Sequence, residues 1–246
     1  MKNKFVNIIR YLLMPGTNLF SRRRVTLKKY WLNGKRNVLD AGSGNGWFSY
    51  LAYKSGAIVT AVNISEDQIT KAKEFYNKWL GIEEKKLNFI TLNLYNLMEI
   101  EDKFDEIICY ETLEHIKDDK LVCKYFWDLL NKNGVLHICC PYSEHERWIN
   151  DRIDVDETGY HVRPGYTLNS YKELLEPIGF EIEEVEGMGN ELMVKYHLLL
   201  QKLQKILGNI FIIPLSFLAF PLVWTDGNNL NYPYSIYIKA VKKNKI

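Results

Sequence analysis

Short apolar runs alternate along the chain with longer stretches of helical spacing. Seven of the apolar runs predict strands, over Asn37–Asp40, Ala57–Asn63, Asn88–Asn93, Glu106–Tyr110, Gly134–Pro141, Glu181–Glu186 and Tyr234–Val241. The stretches between them predict helices over Trp47–Ser55, Ser65–Leu80, Asp118–Asn131 and Leu168–Ile178. Ser65 is expected to cap its helix, with Gln68 completing a capping box. This alternation is typical of an α/β domain.

A glycine-rich loop follows the first predicted strand. That strand runs into Asp40, and Gly42, Gly44 and Gly46 stand at alternating positions before a helix that starts near Trp47. Glycine has no Cβ, so the backbone can turn tightly and lie close to a ligand. The N–H groups at the start of the following helix point toward whatever the loop holds. The loop is therefore a candidate ligand cradle.

The spacing D-x-G-x-G-x-G resembles motif I of the class I S-adenosylmethionine-dependent methyltransferases. The competing dinucleotide fingerprint, G-x-G-x-x-G, would need its third glycine at position 47, where this chain has Trp47. The resemblance implies a Rossmann-like α/β fold with helices on both faces of a seven-stranded sheet. The implied strand order is 3-2-1-4-5-7-6 with the last strand antiparallel. The ligand would lie at the carboxyl ends of the strands, where the order reverses.

The same resemblance implies a site for S-adenosylmethionine built from the ends of four strands. Its candidate residues are Asp40, Gly42, Ser43, Gly44 and Gly46 in the loop, and Asn63, Ile64, Asn93, Leu94, Cys109 and Tyr110 after the next three strands. Asn63 stands where most relatives have an acid that holds both ribose hydroxyls, and Asn93 where an Asp commonly lies near the adenine. An amide can accept and donate, but its hydrogen bonds are not charge-assisted. We therefore expect weaker cofactor binding.

The segment 104–119, which contains the fourth predicted strand and the residues after it, resembles the family's F-D-x-I-x-x-x-x-x-x-E-H pattern. The spacing E-x-x-E-H places Glu111, Glu114 and His115 close together on one turn. Two carboxylates and an imidazole suit a divalent cation. Similar spacing occurs in metal-assisted O-methyltransferases of ubiquinone biosynthesis and small-RNA 3′-end methylation, and His161 is the candidate fourth ligand. The alternative for these residues is a structural or substrate-orienting role without metal.

Methyl transfer to an oxygen needs an aligned acceptor and a base. Histidine is the side chain best matched to that task near neutral pH. His161 and His115 are the first candidates, with Glu111 beside them, and His145 is third. Each histidine also fits a plain structural role.

Charge is segregated along the chain, although the net charge is +2. Residues 1–36 carry ten basic residues and no acid, residues 37–191 carry fifteen basic and twenty-nine acidic residues, and residues 192–246 carry seven Lys and one Asp. The acidic middle argues against a nucleic-acid partner, and no N-P-P-[YF]-type motif is present. Basic ends suit an anionic membrane surface, and ordinary solvated charge is the alternative.

Four cysteines, Cys109, Cys123, Cys139 and Cys140, form no C-x-x-C pair and are expected to be small buried apolar side chains. Residues 1–10 lack the long apolar region of a signal peptide. Together these features predict a reducing, cytoplasmic setting.

Three regions are predicted along the chain. They are a basic N-terminal helical arm (1–36), a core domain (37–190 and 231–246), and a helical, apolar insertion (191–230). The insertion contains Ile206–Thr225, twenty residues without a charge, a length that would just span a bilayer. Pro214 and Pro221 interrupt it, and spanning would separate the last strand from its sheet. We expect a hairpin on a membrane surface, a lid over an apolar pocket, or a contact in a homodimer.

These features predict an enzyme that moves a methyl group from S-adenosylmethionine to a small-molecule acceptor. The expected acceptor is a hydroxyl of a sugar, a lipid-linked glycan or a quinone-like ring. The segment 141–167 should cap the substrate pocket, and it resembles the same region of methyltransferases of glycan and cell-envelope biosynthesis. Two alternatives remain open. The pattern N-I-S-x-x-Q at 63–68 resembles C-methyltransferases of isoprenoids, and Asn63 and Asn93 would suit a non-catalytic binding module.

Overall fold

The computed structural model of this chain describes residues 18–149, 153–154, 156–207 and 209–243. The chain divides into two compact units. We name the first the sheet unit, Trp31–Glu186 with Ser235–Ile246, and the second the helical unit, the chain up to Tyr30 with Gly187–Tyr234. The helical unit thus takes in most of the predicted arm and insertion. Positions 1–17 of the predicted arm lie outside the described residues.

A seven-stranded sheet runs in the order β3-β2-β1-β4-β5-β7-β6. Its strands are β1 Asn37–Ala41, β2 Ile58–Asn63, β3 Leu87–Thr91, β4 Phe104–Tyr110, β5 Leu130–Pro141, β6 Phe180–Met188 and β7 Ser235–Lys242. The pairs from β3 through to β5 are parallel, and β7 is antiparallel to β5. The predicted fold class and strand order are therefore confirmed.

In the described chain one α-helix precedes the first strand and the others lie between strands. They are α1 Leu19–Val25, α2 Trp47–Lys54, α3 Glu66–Ala72, α4 Asp119–Leu129, α5 Glu146–Ile149, α6 Leu168–Leu175, α7 Glu191–Leu207, α8 Asn209–Leu218 and α9 Pro221–Thr225. Short 3₁₀ turns cover Thr26–Tyr30, Leu94–Glu99, Leu113–His115 and Glu176–Ile178. Predicted and observed bounds differ mainly at helix ends and at the start of β5.

The predicted helix over Ser65–Leu80 has two parts. Ser65 caps α3 by accepting a hydrogen bond from the Gln68 N–H, but from Lys73 to Trp79 the helix widens into a π-helix. The Asn77 amide within this segment donates to the carbonyl oxygens of Ile82 and Leu87, 2.9 Å away in each case. These contacts tie the wide turn to the chain that enters β3. Because the π-helix is held by contacts with residues outside it, the spacing of apolar residues within the helix could not predict it.

Strand β5 begins four residues earlier than predicted. Leu130 pairs with Phe104, and the register then shifts so that Glu106 pairs with Val135. Asn133, within the shift, adopts φ +60°. The prediction missed this start because an irregular ladder has no alternating pattern.

A buried polar network crosses the centre of the sheet. The Glu106 carboxylate accepts hydrogen bonds from Arg36 Nε at 2.5 Å and from the Leu32 N–H at 2.9 Å. His137 lies between Glu106, 2.8 Å from its Nε2, and the Tyr237 hydroxyl, 2.8 Å from its Nδ1. Burial alone would raise the pKa of Glu106, but His137 and Arg36 outweigh it and hold that pKa below its usual value. The network is stabilising only while all its members are present.

Asp226 organises the helical unit. Its carboxylate accepts hydrogen bonds from Arg23 Nε at 2.7 Å and from the N–H groups of Gly189 and Asn190 at 2.9 and 2.6 Å. Phe20 stacks on Tyr234, with ring centroids 4.2 Å apart. Helix α1 is thereby fixed to the chain on both sides of the predicted insertion. Among the described residues, none of the helices combines the length and apolar character that a membrane crossing requires.

Candidate active site

A cleft of about 570 Å³ opens at the carboxyl ends of β1 to β4. Small-molecule sites usually have volumes of about 300 to 1,000 Å³. Eight of the predicted site residues line it: Gly42, Gly44, Asn63, Ile64, Asn93, Leu94, Glu111 and His115. Other lining residues, which the sequence did not single out as ligands, include Gln68, Tyr95, Thr112 and Glu157. The cleft lies where the strand order reverses, as expected for this sheet.

The three glycines of the loop are needed for different reasons. All three have positive φ, between +52° and +81°. A Cβ at Gly42 would lie 2.2 Å from Thr112 Oγ1, and one at Gly46 would lie 2.6 Å from the Phe89 ring. At Gly44 a Cβ would meet only Gln68 Oε1, at 3.9 Å. Gly42 and Gly46 therefore allow packing, whereas Gly44 leaves open space that faces the cleft.

Asp40 lies beneath the loop and does not line the cleft. It is buried, and its Oδ2 accepts a hydrogen bond from Ser49 Oγ at 2.5 Å. Burial raises the pKa of Asp40 to about 6, although the bonds from Ser49 act in the opposite direction. Ser43 is also buried, and its N–H donates to the Val62 carbonyl oxygen at 2.9 Å. Asp40 and Ser43 therefore support the loop from the core side, and neither lines the cleft.

The two asparagines that replace acids both line the cleft. Asn63 accepts from the Ser65 N–H at 2.8 Å and donates to Gln68 Oε1 at 3.3 Å. Asn93 accepts from the Tyr95 N–H at 3.0 Å and caps the 3₁₀ turn that follows. Each Oδ1 is already engaged by a neighbouring N–H. Gln68 thus joins Asn63 as a polar group at the edge of the cleft.

Cys109 and Tyr110 were expected to line the methionine end of the cleft, but the structure places both in the interior. Cys109 is fully buried, and the Tyr110 hydroxyl accepts a hydrogen bond from Trp31 Nε1 at 3.2 Å. The first residues after β4 that line the cleft are Glu111 and Thr112. The strand ends at Tyr110, as predicted, so both residues still belong to β4 and their side chains are buried in the sheet unit.

Glu111 does not share a turn with Glu114 and His115, contrary to the prediction. It has φ +50°, and its N–H donates to the Cys139 carbonyl oxygen at 2.7 Å. The 3₁₀ turn that carries the other two residues starts only at Leu113. Because the backbone reverses at Glu111, its side chain projects from a different position along the cleft wall.

Glu114, His115 and His161 come together although 46 positions separate the last two in sequence. One ligand atom from each lies within 4.8 Å of the others, and this is the group of metal-capable side chains found among the described residues. The two imidazole rings meet edge to face, with centroids 4.8 Å apart. The His161 ring also lies 5.5 Å from that of Trp148. The predicted pairing of His115 with His161 is thus present in the fold.

His115 is held in one orientation. Its Nδ1 lies 2.9 Å from the Tyr160 carbonyl oxygen, and a carbonyl only accepts, so Nδ1 carries the proton. The Val162 N–H donates to the Glu114 carbonyl oxygen at 2.9 Å, which joins the two segments again. In neutral His115, Nε2 is therefore left as an acceptor.

Glu157 fixes the segment after β5 to the opposite wall of the cleft. Its Oε1 accepts hydrogen bonds from the Tyr95 hydroxyl at 2.6 Å and from the Lys117 N–H. The Tyr95 hydroxyl accepts in turn from the Asp118 N–H at 3.1 Å. Nothing in the sequence pattern marks Glu157 or Tyr95, because these bonds join residues 62 positions apart. Gln68, by contrast, could be identified in the sequence, because it ends the N-I-S-x-x-Q pattern at 63–68.

Comparisons with known proteins identify the family to which this chain is similar. A family model described as a methyltransferase domain matches residues 32–207. The ubiquinone biosynthesis O-methyltransferase of Coxiella burnetii is 32% identical over 126 residues, which cover 51% of this chain and 50% of that protein. The chain thus spans about half the length of the curated relatives it matches.

Solved structures resemble the fold over most of the chain. Phosphoethanolamine N-methyltransferase 2 of Haemonchus contortus, solved in complex with S-adenosyl-L-methionine, superposes with a TM-score of 0.63 at 19% identity and covers 91% of this chain and 52% of its own. An S-adenosylmethionine-dependent methyltransferase of Mesorhizobium loti gives 0.59 at 17% identity and covers 88% and 96%. At these identities the likeness concerns the fold alone.

Proposed function

Because this chain belongs to the class I S-adenosylmethionine-dependent methyltransferases, we propose that the cleft beside Gly44 holds the cofactor and that the acceptor is an oxygen of a small molecule. The acceptor class we favour is a hydroxyl of a quinone-like ring, a sugar or a lipid-linked glycan. The observation that carries the oxygen assignment is the pairing of His115 with His161, with His115 held so that Nε2 can accept a proton.

The cleft fits the cofactor by its shape and its polar groups. The open space at Gly44 lets a ligand lie against the backbone, and Asn63 and Gln68 offer amides where ribose hydroxyls would bind. Ile64 is 70% exposed at the edge of the cleft, an unusual position for a large apolar side chain. It offers an apolar surface on which a purine ring could pack. Because both amides are neutral, we expect micromolar rather than tighter affinity.

S-adenosylmethionine supplies a methyl group that its sulfonium already activates. The chain's own task is therefore to align the acceptor and to remove its proton. His115 Nε2 is suited to accept that proton, and the hydrogen bond from Nδ1 to Tyr160 would stabilise the cation that forms. His161 lies in ring contact with His115 and is the second candidate. Glu111 lines the same cleft and could hold the acceptor hydroxyl.

A divalent cation at Glu114, His115 and His161 is a second form of the same proposal. One carboxylate and two imidazoles form a donor set that suits Mn²⁺, Fe²⁺ or Zn²⁺ as well as Mg²⁺. A cation here would lower the pKa of a bound hydroxyl and would replace the histidines as the source of activation. The two forms differ in one measurable respect, because only the second loses activity on chelation.

The test is a methyl-transfer assay with isotopically labelled S-adenosylmethionine and three acceptor classes. These are a dihydroxylated aromatic ring, a sugar nucleotide, and a polyprenyl chain. We expect label to enter the ring or the sugar, with the product's methyl resonance at the shift of a methoxy group. Label in the polyprenyl chain, with a resonance typical of a C-methyl group, would replace oxygen with carbon as the acceptor.

A further inference from the structure

The helical unit exposes large apolar side chains at a corner between two short helices. We name residues 214–225 the α8–α9 corner. Within it Leu218 is 73% exposed, Trp224 is 81% exposed and Phe217 is 43% exposed. Ile206, on the preceding helix α7, is 77% exposed. Single exposed apolar residues are common, but several in one short segment mark an interaction surface.

Positive charge accompanies these side chains. The guanidinium of Arg22 lies 3.5 Å from the centre of the Phe220 ring and 5.8 Å from that of Phe217, so the corner itself carries a cation. Lys202 and Lys205 are exposed on α7, within four residues of Ile206 in sequence. By sequence the helical unit has eleven Lys or Arg against two acids, and one of those acids, Asp226, is buried against Arg23.

The charge also decides which partner suits the surface. The helical unit has a net charge of +9, whereas the sheet unit has −7. A twofold contact through the corner would bring two copies of the strongly positive unit together, which opposes a dimer there. An anionic lipid surface offers the complementary charge and also accepts exposed Trp, Phe and Leu side chains at its interface.

We propose that the α8–α9 corner is a membrane-docking surface that inserts Leu218 and Trp224 into the interface of an anionic bilayer. Arg22, Lys202 and Lys205 supply the electrostatic attraction. The helices lie on the membrane and do not cross it, consistent with their short length. The proposal rests on the helical unit alone and holds whatever the acceptor of the methyl group is.

Vesicle flotation with the full chain tests this. The probes are vesicles of phosphatidylcholine alone and vesicles that also contain phosphatidylglycerol. We expect binding to the anionic vesicles that weakens as salt rises, because the attraction is partly electrostatic. The double variant Leu218→Ser/Trp224→Ser should lower the apparent partition coefficient about tenfold or more. The matched control Trp79→Ser/Leu80→Ser removes exposed side chains of the same types from the sheet unit and should bind as the wild type does.

A second pair of variants tests the charge. Lys202→Glu/Lys205→Glu should weaken binding to anionic vesicles and flatten its salt dependence, whereas Lys120→Glu/Lys124→Glu, which changes exposed lysines of the sheet unit, should have a much smaller effect. Absence of binding by the wild type at low salt would overturn the proposal. So would a dimer in analytical ultracentrifugation that Leu218→Ser/Trp224→Ser dissociates while vesicle binding is absent, because the corner would then contact a second copy.

Discussion

His115 Nδ1 and the carbonyl oxygen of Tyr160 are joined by a 2.9 Å hydrogen bond that brings the segment after β5 to the turn after β4. The bond fixes the orientation of the imidazole and places the proton of its neutral form on Nδ1. It depends on the backbone of residue 160 and not on its side chain. In the proposed mechanism, a backbone carbonyl oxygen therefore orients the imidazole that would act as the base.

The first prediction concerns this base. His115→Ala should lower kcat about 10²- to 10⁴-fold, because the variant lacks the side chain that accepts the proton of the acceptor hydroxyl. Binding of S-adenosylhomocysteine should stay within about twofold, since the imidazole is needed for the chemical step. Tyr160→Ala is the matched control, because it keeps the carbonyl and should keep most of the rate. Equal loss of cofactor binding and rate in His115→Ala would indicate a structural role instead. The same assay on His161→Ala tells which imidazole accepts the proton.

The second prediction separates the metal-free and metal-assisted forms. If a cation acts at Glu114, His115 and His161, exhaustive treatment with EDTA should abolish methyl transfer and Mg²⁺ or Mn²⁺ should restore it. Glu114→Gln should then raise the metal concentration needed for half-maximal rate about 10- to 100-fold. Full activity after chelation would exclude the cation and leave the imidazoles as the base.

The third prediction compares two glycines of the loop. Gly42→Ala and Gly44→Ala both place a Cβ at positive φ, which costs roughly 1 kcal/mol each. Only Gly42→Ala also collides with Thr112, and overpacking adds about 1 to 3 kcal/mol. Urea denaturation should therefore show the larger loss for Gly42→Ala, with partial recovery in Gly42→Ala/Thr112→Ala. Gly44→Ala should mainly weaken S-adenosylhomocysteine binding, and equal stability losses would refute the difference in role.

The fourth prediction concerns pH. Burial raises the pKa of Asp40 from its ordinary value of 3.8 to about 6, so the folded state holds this proton more tightly than the unfolded state does. Protonated Asp40 therefore stabilises the folded state. This contribution to the free energy of unfolding is fully present below pH 4 and is lost as the pH rises to about 6. By linkage the loss amounts to about 3 kcal/mol of unfolding free energy.

Urea titrations from pH 4 to pH 7 on wild type and Asp40→Asn measure this effect by difference. The amide of the variant does not titrate, so the wild type should lose more stability than the variant across this range. Ser49→Ala removes a hydrogen bond that lowers the pKa of Asp40, and it should move the transition to higher pH. Parallel curves for wild type and Asp40→Asn would show that Asp40 does not titrate in this range.

The sequence allowed the sheet to be predicted well because each strand has a local signal. The strand runs and the loop from Asp40 to Gly46 are continuous in sequence, and the resemblance that they carry supplied the strand order. The same holds for the contribution of Gly44, Asn63, Ile64 and Asn93 to the cleft. Each lies at the carboxyl end of a strand or within three residues after it, where parallel sheets bind their ligands.

Other features depend on contacts between distant residues, and no local pattern reports them. Arg23 and Asp226 are 203 positions apart, and Tyr95 and Glu157 are 62 apart. Cys109 and Tyr110 were assigned to the cleft by analogy, and the end of β4 at Tyr110 was predicted correctly, but both side chains are buried. Which side chains at a strand end reach the cleft depends on tertiary packing. The reversal at Glu111 has the same origin, because it depends on a bond to β5.

Calorimetric titration with S-adenosylhomocysteine, with NADH titrated in parallel, shows whether the cleft beside Gly44 binds this cofactor. We expect S-adenosylhomocysteine to bind in the micromolar range and NADH to give no heat, because the loop has the D-x-G-x-G-x-G spacing and not the dinucleotide fingerprint. A folded protein that fails to bind S-adenosylhomocysteine, or that binds NADH instead, would contradict this expectation.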